Sequence, residues 1–145
     1  MILKSQCVKD TQNTAERLLK STKPGTVFAL VGDLGTGKTT FSQGFAKALG
    51  INNRVGSPTF KLVSEYEGRK HKLYHIDAYR LKNSNEFLNI GGEEYLISEN
   101  SYTLIEWADI IEDILPKNTI KIEFTRSTDN KNKRQIKIIG FDNEL

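Results

Sequence analysis

The chain reads Gly32-Asp33-Leu34-Gly35-Thr36-Gly37-Lys38-Thr39 at residues 32–39, which fits the phosphate-binding pattern G-x-x-x-x-G-K-[ST]. Before this stretch, residues 26–31 form a short apolar run rich in strand-forming residues. After it, apolar residues recur at helical spacing from Phe41, and Gly50 stands where a helix commonly ends. A strand, a glycine loop and a helix in this order point backbone N–H groups at a polyphosphate. The stretch therefore predicts that the chain binds a nucleoside triphosphate.

The residues of this loop have separate expected tasks. The glycines permit positive φ and a close approach of the backbone to phosphates. Lys38 is expected to reach the β- and γ-phosphates as a point charge, and the Thr39 hydroxyl to ligate Mg²⁺. Asp33 either orients a water or forms the turn, and Thr40 either contacts the nucleotide or is an ordinary first-turn residue. The predicted nucleotide-binding residues of the loop are Gly32, Asp33, Leu34, Gly35, Thr36, Gly37, Lys38, Thr39 and Thr40.

Length and composition are typical of one globular domain, predicted to span residues 1–145. The net charge of +3 is too small to indicate nucleic-acid binding by itself. The single cysteine, Cys7, excludes an intrachain disulfide and is expected to be a small apolar strand residue. No apolar run approaches transmembrane length and no signal-peptide core is present, so we expect a cytoplasmic protein with no membrane partner.

Strand and helix patterns alternate along the chain. Strands are predicted at 2–8, 26–31, 62–66, 72–76, 103–105, 119–124 and 134–139, the third with the fourth and the last two as hairpins. A first helix, capped by Asp10 or Thr11, is predicted to run to Lys20, and further helical segments follow the glycine loop, at 83–88, at 93–97 and at 110–115. This alternation predicts an α/β fold with a mostly parallel, P-loop NTPase-like sheet flanked by helices and extended by antiparallel hairpins.

Two carboxylates follow apolar strands at the positions where a phosphate site needs acidic groups. Asp77 follows residues 73–76, and Glu106 follows residues 104–105. Such residues meet at one edge of a parallel sheet, where they can hold Mg²⁺ or organise water. Asp77 could instead pair with Arg80. Thr59 lies in a loop of the kind that joins the Mg²⁺ shell in nucleotide switches, or is part of a simple turn.

Other polar and aromatic residues have weaker indications. His71 and His75 lie four apart in a predicted strand without a third ligand nearby, so His75 is expected to support Asp77 rather than a metal. Trp107 is expected to line the core or a cleft. The basic residues of the last hairpin indicate either a solvated surface or contact with tRNA or a protein; they are Lys131, Lys133, Arg134 and Lys137.

Together, four segments resemble one family, the TsaE (YjeE) ATPases of bacterial threonylcarbamoyladenosine biosynthesis in tRNA. The resemblance in order and spacing is carried by Gly32 to Phe41, Ser57-Pro58-Thr59-Phe60, Tyr74-His75-Ile76-Asp77-Ala78-Tyr79-Arg80-Leu81 and Ile105-Glu106-Trp107. It implies a small ATPase that binds ATP and Mg²⁺ and acts with the TsaB–TsaD pair. TsaD transfers threonylcarbamoyl to N6 of adenosine 37 in tRNAs that read codons beginning with A. The resemblance implies indirect or weak contact with tRNA and none with DNA.

The resemblance also implies roles for residues at matching positions. The loop from Leu34 to Thr39 would hold the phosphates, and Thr39 with Glu106 would ligate Mg²⁺. Thr59 and Asp77 fall in switch-like and Walker B-like segments, and Thr11 falls where the family places a residue against the nucleotide. The implied catalytic residues are thus Lys38, Thr59, Asp77 and Glu106. The chain departs from the family pattern at Thr36, Lys61 and Ala78, and none of these departures removes an implied ligand.

Three other functions compete with this interpretation. A small-molecule kinase usually adds a lid and an acceptor region, for which residues 82–102 leave little room. A signalling GTPase normally carries Asn-Lys-x-Asp, and the nearest match, Asn130-Lys131-Asn132-Lys133, lacks the Asp, which favours adenine over guanine. A non-hydrolytic nucleotide switch would use the same loop to change its affinity for a partner.

Overall fold

The strand, glycine loop and helix predicted around residues 32–39 are present in a computed structural model, which describes residues 1–58 and 61–145. Strand β2 covers Val27–Val31, and helix α2 covers Lys38–Ala48. Gly37 precedes α2 with φ 113°, and Gly50 follows it with φ 83°; both values lie in the left-handed region that favours glycine. The local prediction is confirmed.

In the described part of the chain, seven strands form one sheet in the order β1-β7-β6-β2-β5-β4-β3. The strands β6, β2, β5 and β4 pair in parallel, and β1, β7 and β3 add antiparallel edges. The predicted α/β class with a mostly parallel core is confirmed. Besides β2, the strands are β1 Ile2–Ser5, β3 Val63–Glu67, β4 Lys72–Asp77, β5 Ser101–Glu106, β6 Ile120–Arg126 and β7 Arg134–Ile139.

Helices cover both faces of the sheet, and β2 shows why. Phe28 and Leu30 point into one apolar cluster with residues of α1 and α2, whereas Val27 and Ala29 point into the opposite cluster with residues of α3, α4 and a 3₁₀ helix. A strand buried on both sides is the expected environment for a continuous apolar run. The helices other than α2 are α1 Val8–Lys20, α3 Ser84–Asn89, α4 Glu93–Ile97 and the 3₁₀ helix Ala108–Ile114.

The structure corrects the prediction for the start of the chain. Strand β1 ends at Ser5, and α1 begins at Val8 with an exposed Cys7 before it, so Cys7 is not a strand residue. Asp10 and Thr11 lie inside α1. The Asp10 carboxylate reaches back to accept a hydrogen bond from the backbone N–H of Gln6 (2.9 Å), which holds the strand-to-helix turn from within the first helical turn.

A second correction concerns the segment after β5. Its apolar spacing predicts an α-helix, but residues 108–114 form a 3₁₀ helix interrupted at Ile111, which has φ −117° and ψ 23°. Trp107 precedes this helix with φ 58°, a left-handed conformation that is uncommon for a bulky side chain. The sharp turn at Trp107 directs the chain away from the edge of the sheet immediately after Glu106.

Gly44 provides a test of the packing between α1 and α2. It has helical backbone angles, so helix propensity alone predicts that Gly44→Ala stabilises α2 by about 1 kcal/mol. A Cβ at this position would, however, lie 2.6 Å from Cα of Gln12 and 2.9 Å from its carbonyl oxygen. Because backbone atoms cannot rotate away, we expect Gly44→Ala to lower the free energy of unfolding by about 1–3 kcal/mol, measured by urea denaturation.

The matched control for this experiment is Gly56→Ala. A Cβ at Gly56 would have no atom of residues 1–58 or 61–145 within 4 Å, so the free energy of unfolding should change by less than about 0.5 kcal/mol. An increase in stability for Gly44→Ala would show that the two helices are not packed as closely as described.

Candidate functional site

A cavity of about 440 Å³ opens where β2, β4 and β5 end and α2 begins. Its volume lies within the usual range for small-molecule sites, and its place at the carboxyl ends of parallel strands is the common one in α/β sheets. The residues lining it are Cys7, Val8, Thr11, Leu34, Gly35, Gly37, Lys38, Thr39, Thr40, Ser57, Asp77, Tyr79, Glu106, Trp107, Asn132 and Arg134.

The loop between β2 and α2 is held in a compact shape by contacts that tolerate little change. Gly32 has φ 154°, and a Cβ there would lie 2.6 Å from the carbonyl oxygen of Phe124 on β6. Thr36 is 3% exposed, and its hydroxyl donates to the Asp33 carbonyl at 2.7 Å. Gly32, Asp33 and Thr36 thus form the base of the loop and, unlike the other predicted loop residues, do not line the cavity.

The Lys38 side chain is buried beside the loop. Its Nζ donates to the carbonyl oxygens of Gly32 and Asp33, the latter at 2.8 Å, and lies 4.5 Å from the centre of the Trp107 ring. Burial lowers the pKa of Lys38 from its ordinary value, while nearby carboxylates, chiefly Glu106, oppose that shift. Lys38 is therefore a partly desolvated cation, which interacts more strongly with a nearby anion than an exposed lysine does.

Glu106 connects α2 with two strands. It is the last residue of β5 and only 3% exposed. Its Oε1 accepts a hydrogen bond from the Thr39 hydroxyl at 3.1 Å, and its Oε2 accepts one from Nε2 of His75, which is completely buried. His75 had been expected to support Asp77; its hydrogen bond goes to Glu106 instead, because the parallel register places the two side chains on the same face of neighbouring strands.

Asp77 lies directly beside Glu106, since the two residues are partners in the β4–β5 register. Asp77 is 3% exposed; its Oδ2 accepts from the Ser57 hydroxyl at 3.2 Å, and its Oδ1 accepts from the backbone N–H of Tyr79 at 2.9 Å. Two carboxylates and the Lys38 ammonium therefore meet at one end of the cavity. This is the convergence that the positions of Asp77 and Glu106 after apolar strands had predicted.

The other end of the cavity is formed by the start of α1 and the β6–β7 hairpin. Thr11 is 3% exposed, and its hydroxyl is hydrogen-bonded to that of Ser5 at 2.7 Å. The guanidinium groups of Arg126 and Arg134 both donate to the carbonyl oxygen of Gly35, at 3.1 and 3.3 Å. Among residues 1–58 and 61–145, no carboxylate lies within 4.0 Å of either guanidinium group.

Several members of the site were not assigned a role from the sequence. Arg126 and Arg134 were missed because no local pattern connects the last hairpin with residue 35, and the sequence indicates for Arg134 only a solvated surface or a contact with tRNA or a protein. Trp107 does line the cavity, packed against Tyr79 with ring centres 5.0 Å apart. Thr59 lies outside the described residues. Arg80 is exposed and is not among the lining residues.

Comparison with known proteins identifies the family. Residues 5–136 match the family model of the threonylcarbamoyl adenosine biosynthesis protein TsaE. The chain is 39% identical over 132 residues to the tRNA threonylcarbamoyladenosine biosynthesis protein TsaE of Bacillus subtilis (strain 168), covering 91% of this chain and 82% of that protein. It is 38% identical over 124 residues to the protein of the same name from Rickettsia bellii, covering 85% of each.

A solved structure agrees with these sequence matches. The crystal structure of Bacillus subtilis YdiB superposes with a TM-score of 0.78 and 35% sequence identity, covering 94% of this chain and 82% of that one. In the part of the chain that is described, no helix is both long and apolar enough to cross a membrane. The chain belongs to the TsaE family, whose members are named for threonylcarbamoyladenosine biosynthesis in tRNA.

Proposed function

We propose that this protein is a Mg²⁺-dependent ATPase that assists the TsaB–TsaD pair in threonylcarbamoyladenosine modification of tRNA. One observation carries the ATPase part of the proposal: Lys38, Thr39, Asp77 and Glu106 meet at one end of a single cavity, beside a glycine loop and a helix N-terminus. The relatives' names support the pathway. The partnership with TsaB and TsaD rests on the resemblance to the family.

Phosphate groups suit the loop and the first turn of α2. The first N–H groups of a helix have no partner within the helix, and the helix dipole adds partial positive charge at that end. Lys38 contributes a full charge whose present partners, two backbone carbonyls and the Trp107 ring, are neutral. A phosphate oxygen would replace these neutral acceptors with an anionic one, and the attraction between opposite charges is strong at a partly desolvated position.

The oxygen atoms of Thr39 and Glu106 fit a magnesium ion. Neighbouring oxygen ligands of octahedral Mg²⁺ lie about 3 Å apart, since Mg–O distances are about 2.0–2.1 Å. Thr39 Oγ1 and Glu106 Oε1 are separated by 3.1 Å. The described residues contain no cluster of three or more His, Cys, Asp or Glu that could hold a metal alone, which suits an ion that takes its other ligands from water and phosphates. When bound, Mg²⁺ would neutralise phosphate charge.

The protein groups around this position can assist hydrolysis. Asp77 has two hydrogen-bonded oxygens beside Glu106, so its carboxylate is fixed where it can orient an attacking water. Lys38 can stabilise negative charge on the transferred phosphoryl group. The opposite end, near Thr11, Asn132 and Arg134, remains for the ribose and base. Adenine is the proposed base, because the sequence lacks the guanine-binding Asn-Lys-x-Asp motif.

The first test is nucleotide binding, with Trp107 as the reporter because it is the only tryptophan and contacts Lys38. We expect ATP to change the emission of Trp107, and Lys38→Ala to weaken ATP affinity by tenfold or more, since hydrogen bonds to charged groups contribute about 1.5–3 kcal/mol. Lys47→Ala, on the exposed last turn of α2, is the control and should leave the affinity unchanged. Equal affinities for wild type and Lys38→Ala would contradict phosphate binding at this loop.

The second test separates binding from turnover. Glu106→Ala should reduce the steady-state rate of ATP hydrolysis by about 10²-fold or more while changing ATP affinity much less, because its carboxylate is proposed to hold the Mg²⁺ that would neutralise phosphate charge during the reaction. Glu112→Ala removes an exposed carboxylate that pairs only with Lys121 among the described residues, and it should retain wild-type turnover. If Glu106→Ala hydrolyses ATP at the wild-type rate, Glu106 has no part in the reaction.

The third test concerns the pathway. We would reconstitute tRNA modification with TsaB, TsaD and a supply of threonylcarbamoyl adenylate, and count modified adenosines per TsaD molecule. Wild-type protein should raise this number above one turnover, whereas Lys38→Ala and Glu106→Ala should not. The same yield with wild type, with either variant or with nothing added would overturn the proposed role, even if the protein hydrolyses ATP.

A further inference from the structure

The Glu106 carboxylate uses its two oxygens for different purposes. Oε1 faces the Thr39 hydroxyl at the start of α2, and Oε2 is occupied by Nε2 of His75. Because a carboxylate can only accept hydrogen bonds, Nε2 of His75 must carry the hydrogen and donate it. A carboxylate restrained at Oε2 cannot rotate about its last torsion without losing that bond. The orientation of Oε1 toward the cavity is therefore coupled to His75.

Among the described residues, Glu106 is the only hydrogen-bond partner of the His75 side chain. The His75 side chain is completely buried on β4, and Nδ1 has no hydrogen-bond partner among the described residues. An apolar residue would fill this position without burying an unpaired polar atom, which typically costs about 1–3 kcal/mol. The imidazole is thus unfavourable for packing alone, and Glu106 is the polar group with which it pairs.

The sheet register makes this contact specific to His75. On β4, residues 73, 75 and 77 point to the face covered by α2, and the β4–β5 pairing sets Leu104 opposite His75 and Glu106 opposite Asp77. The His75 side chain therefore reaches Glu106 diagonally across the two strands. The other histidine, His71, lies before β4 and contacts Asn100 and Tyr102, away from this site.

We infer that His75 is a positioning residue that holds Glu106 with Oε1 directed at the magnesium position next to Thr39. The inference rests on the proposed function, since it assigns His75 to the same ion. Hydrogen-bond partners of metal-binding side chains commonly change metal affinity by 10–100-fold when they are removed. His75 should therefore affect metal affinity and spare the contacts of the nucleotide with the loop.

The experiment compares His75→Leu, His75→Gln and the control His71→Leu. The probe is Mn²⁺, whose free concentration is followed by electron paramagnetic resonance in the presence of a non-hydrolysable ATP analogue; analogue affinity is also measured in EDTA. His75→Leu should lower the Mn²⁺ affinity of the protein–analogue complex at least about tenfold. Its affinity for the analogue in EDTA should match wild type. His75→Gln, whose amide can donate from nearly the same position as Nε2, should recover most of the loss, and His71→Leu should behave as wild type.

Three results would overturn the inference. The first is wild-type Mn²⁺ affinity in His75→Leu. The second is a loss of analogue affinity in EDTA that is as large as the loss of Mn²⁺ affinity, which would indicate general damage to the fold. The third is an equal loss of Mn²⁺ affinity in His75→Leu and His75→Gln. If His75→Leu does not fold, His75→Asn replaces it, because its shorter amide cannot reach Oε2 and should show the same selective loss. A different result would contradict the proposed function itself: the wild-type protein binds the analogue equally well with and without Mn²⁺. The role inferred for His75 would then be refuted as well.

Discussion

The Glu106 carboxylate is buried at the end of β5, and a buried carboxylate is tolerated only where its oxygens find hydrogen-bond donors. The donors come from two other elements, Thr39 at the start of α2 and His75 within β4. Satisfying this one group therefore fixes α2, β4 and β5 relative to one another. The loop that ends in Lys38 is placed by the same contact, because Thr39 is the next residue.

Strand register links this local requirement to the whole sheet. Glu106 is paired with Asp77 on one side and with Leu30 on the other, so the carboxyl ends of β4, β5 and β2 lie level. Since side chains alternate between the faces of a sheet, a shift of β4 by one residue would turn both His75 and Asp77 away from α2. The donor to Glu106 and the second carboxylate would then be lost together. The packing that buries Leu73 and Leu104 against the helices thus also preserves the site.

Short sequence patterns predict those parts of the molecule whose structure depends on residues close together in the chain. The apolar run before the loop, the glycines and the helical spacing after it predict β2 and α2, and a carboxylate after each apolar strand predicts the acidic end of the cavity. The partner of His75 could not be predicted, because it depends on which strands are neighbours and in what register. For the same reason, nothing near Arg126 or Arg134 in the sequence indicates contact with Gly35. The sequence predicts an α-helix where the structure has a 3₁₀ helix, because apolar residues three apart in the sequence fit both.

The charged side chains on the two sides of the loop differ in sign: carboxylates lie at one end of the cavity, and guanidinium groups lie near the other. This arrangement affects how a polyphosphate can lie in the cavity. Asp77 and Glu106 lie at one end, where a phosphate without a cation would be repelled, while Arg126 and Arg134 contact Gly35 near the other end without a carboxylate partner in the described chain. In the orientation proposed above, the terminal phosphate and magnesium would lie against the acidic pair, where the ion would screen the two carboxylates. In that orientation, the β6–β7 hairpin supports the outer side of the loop, and Glu106 with His75 supports the inner side. Both sets of contacts restrain the backbone of residues 32–39. The loop therefore connects the acidic end of the cavity with the β6–β7 hairpin.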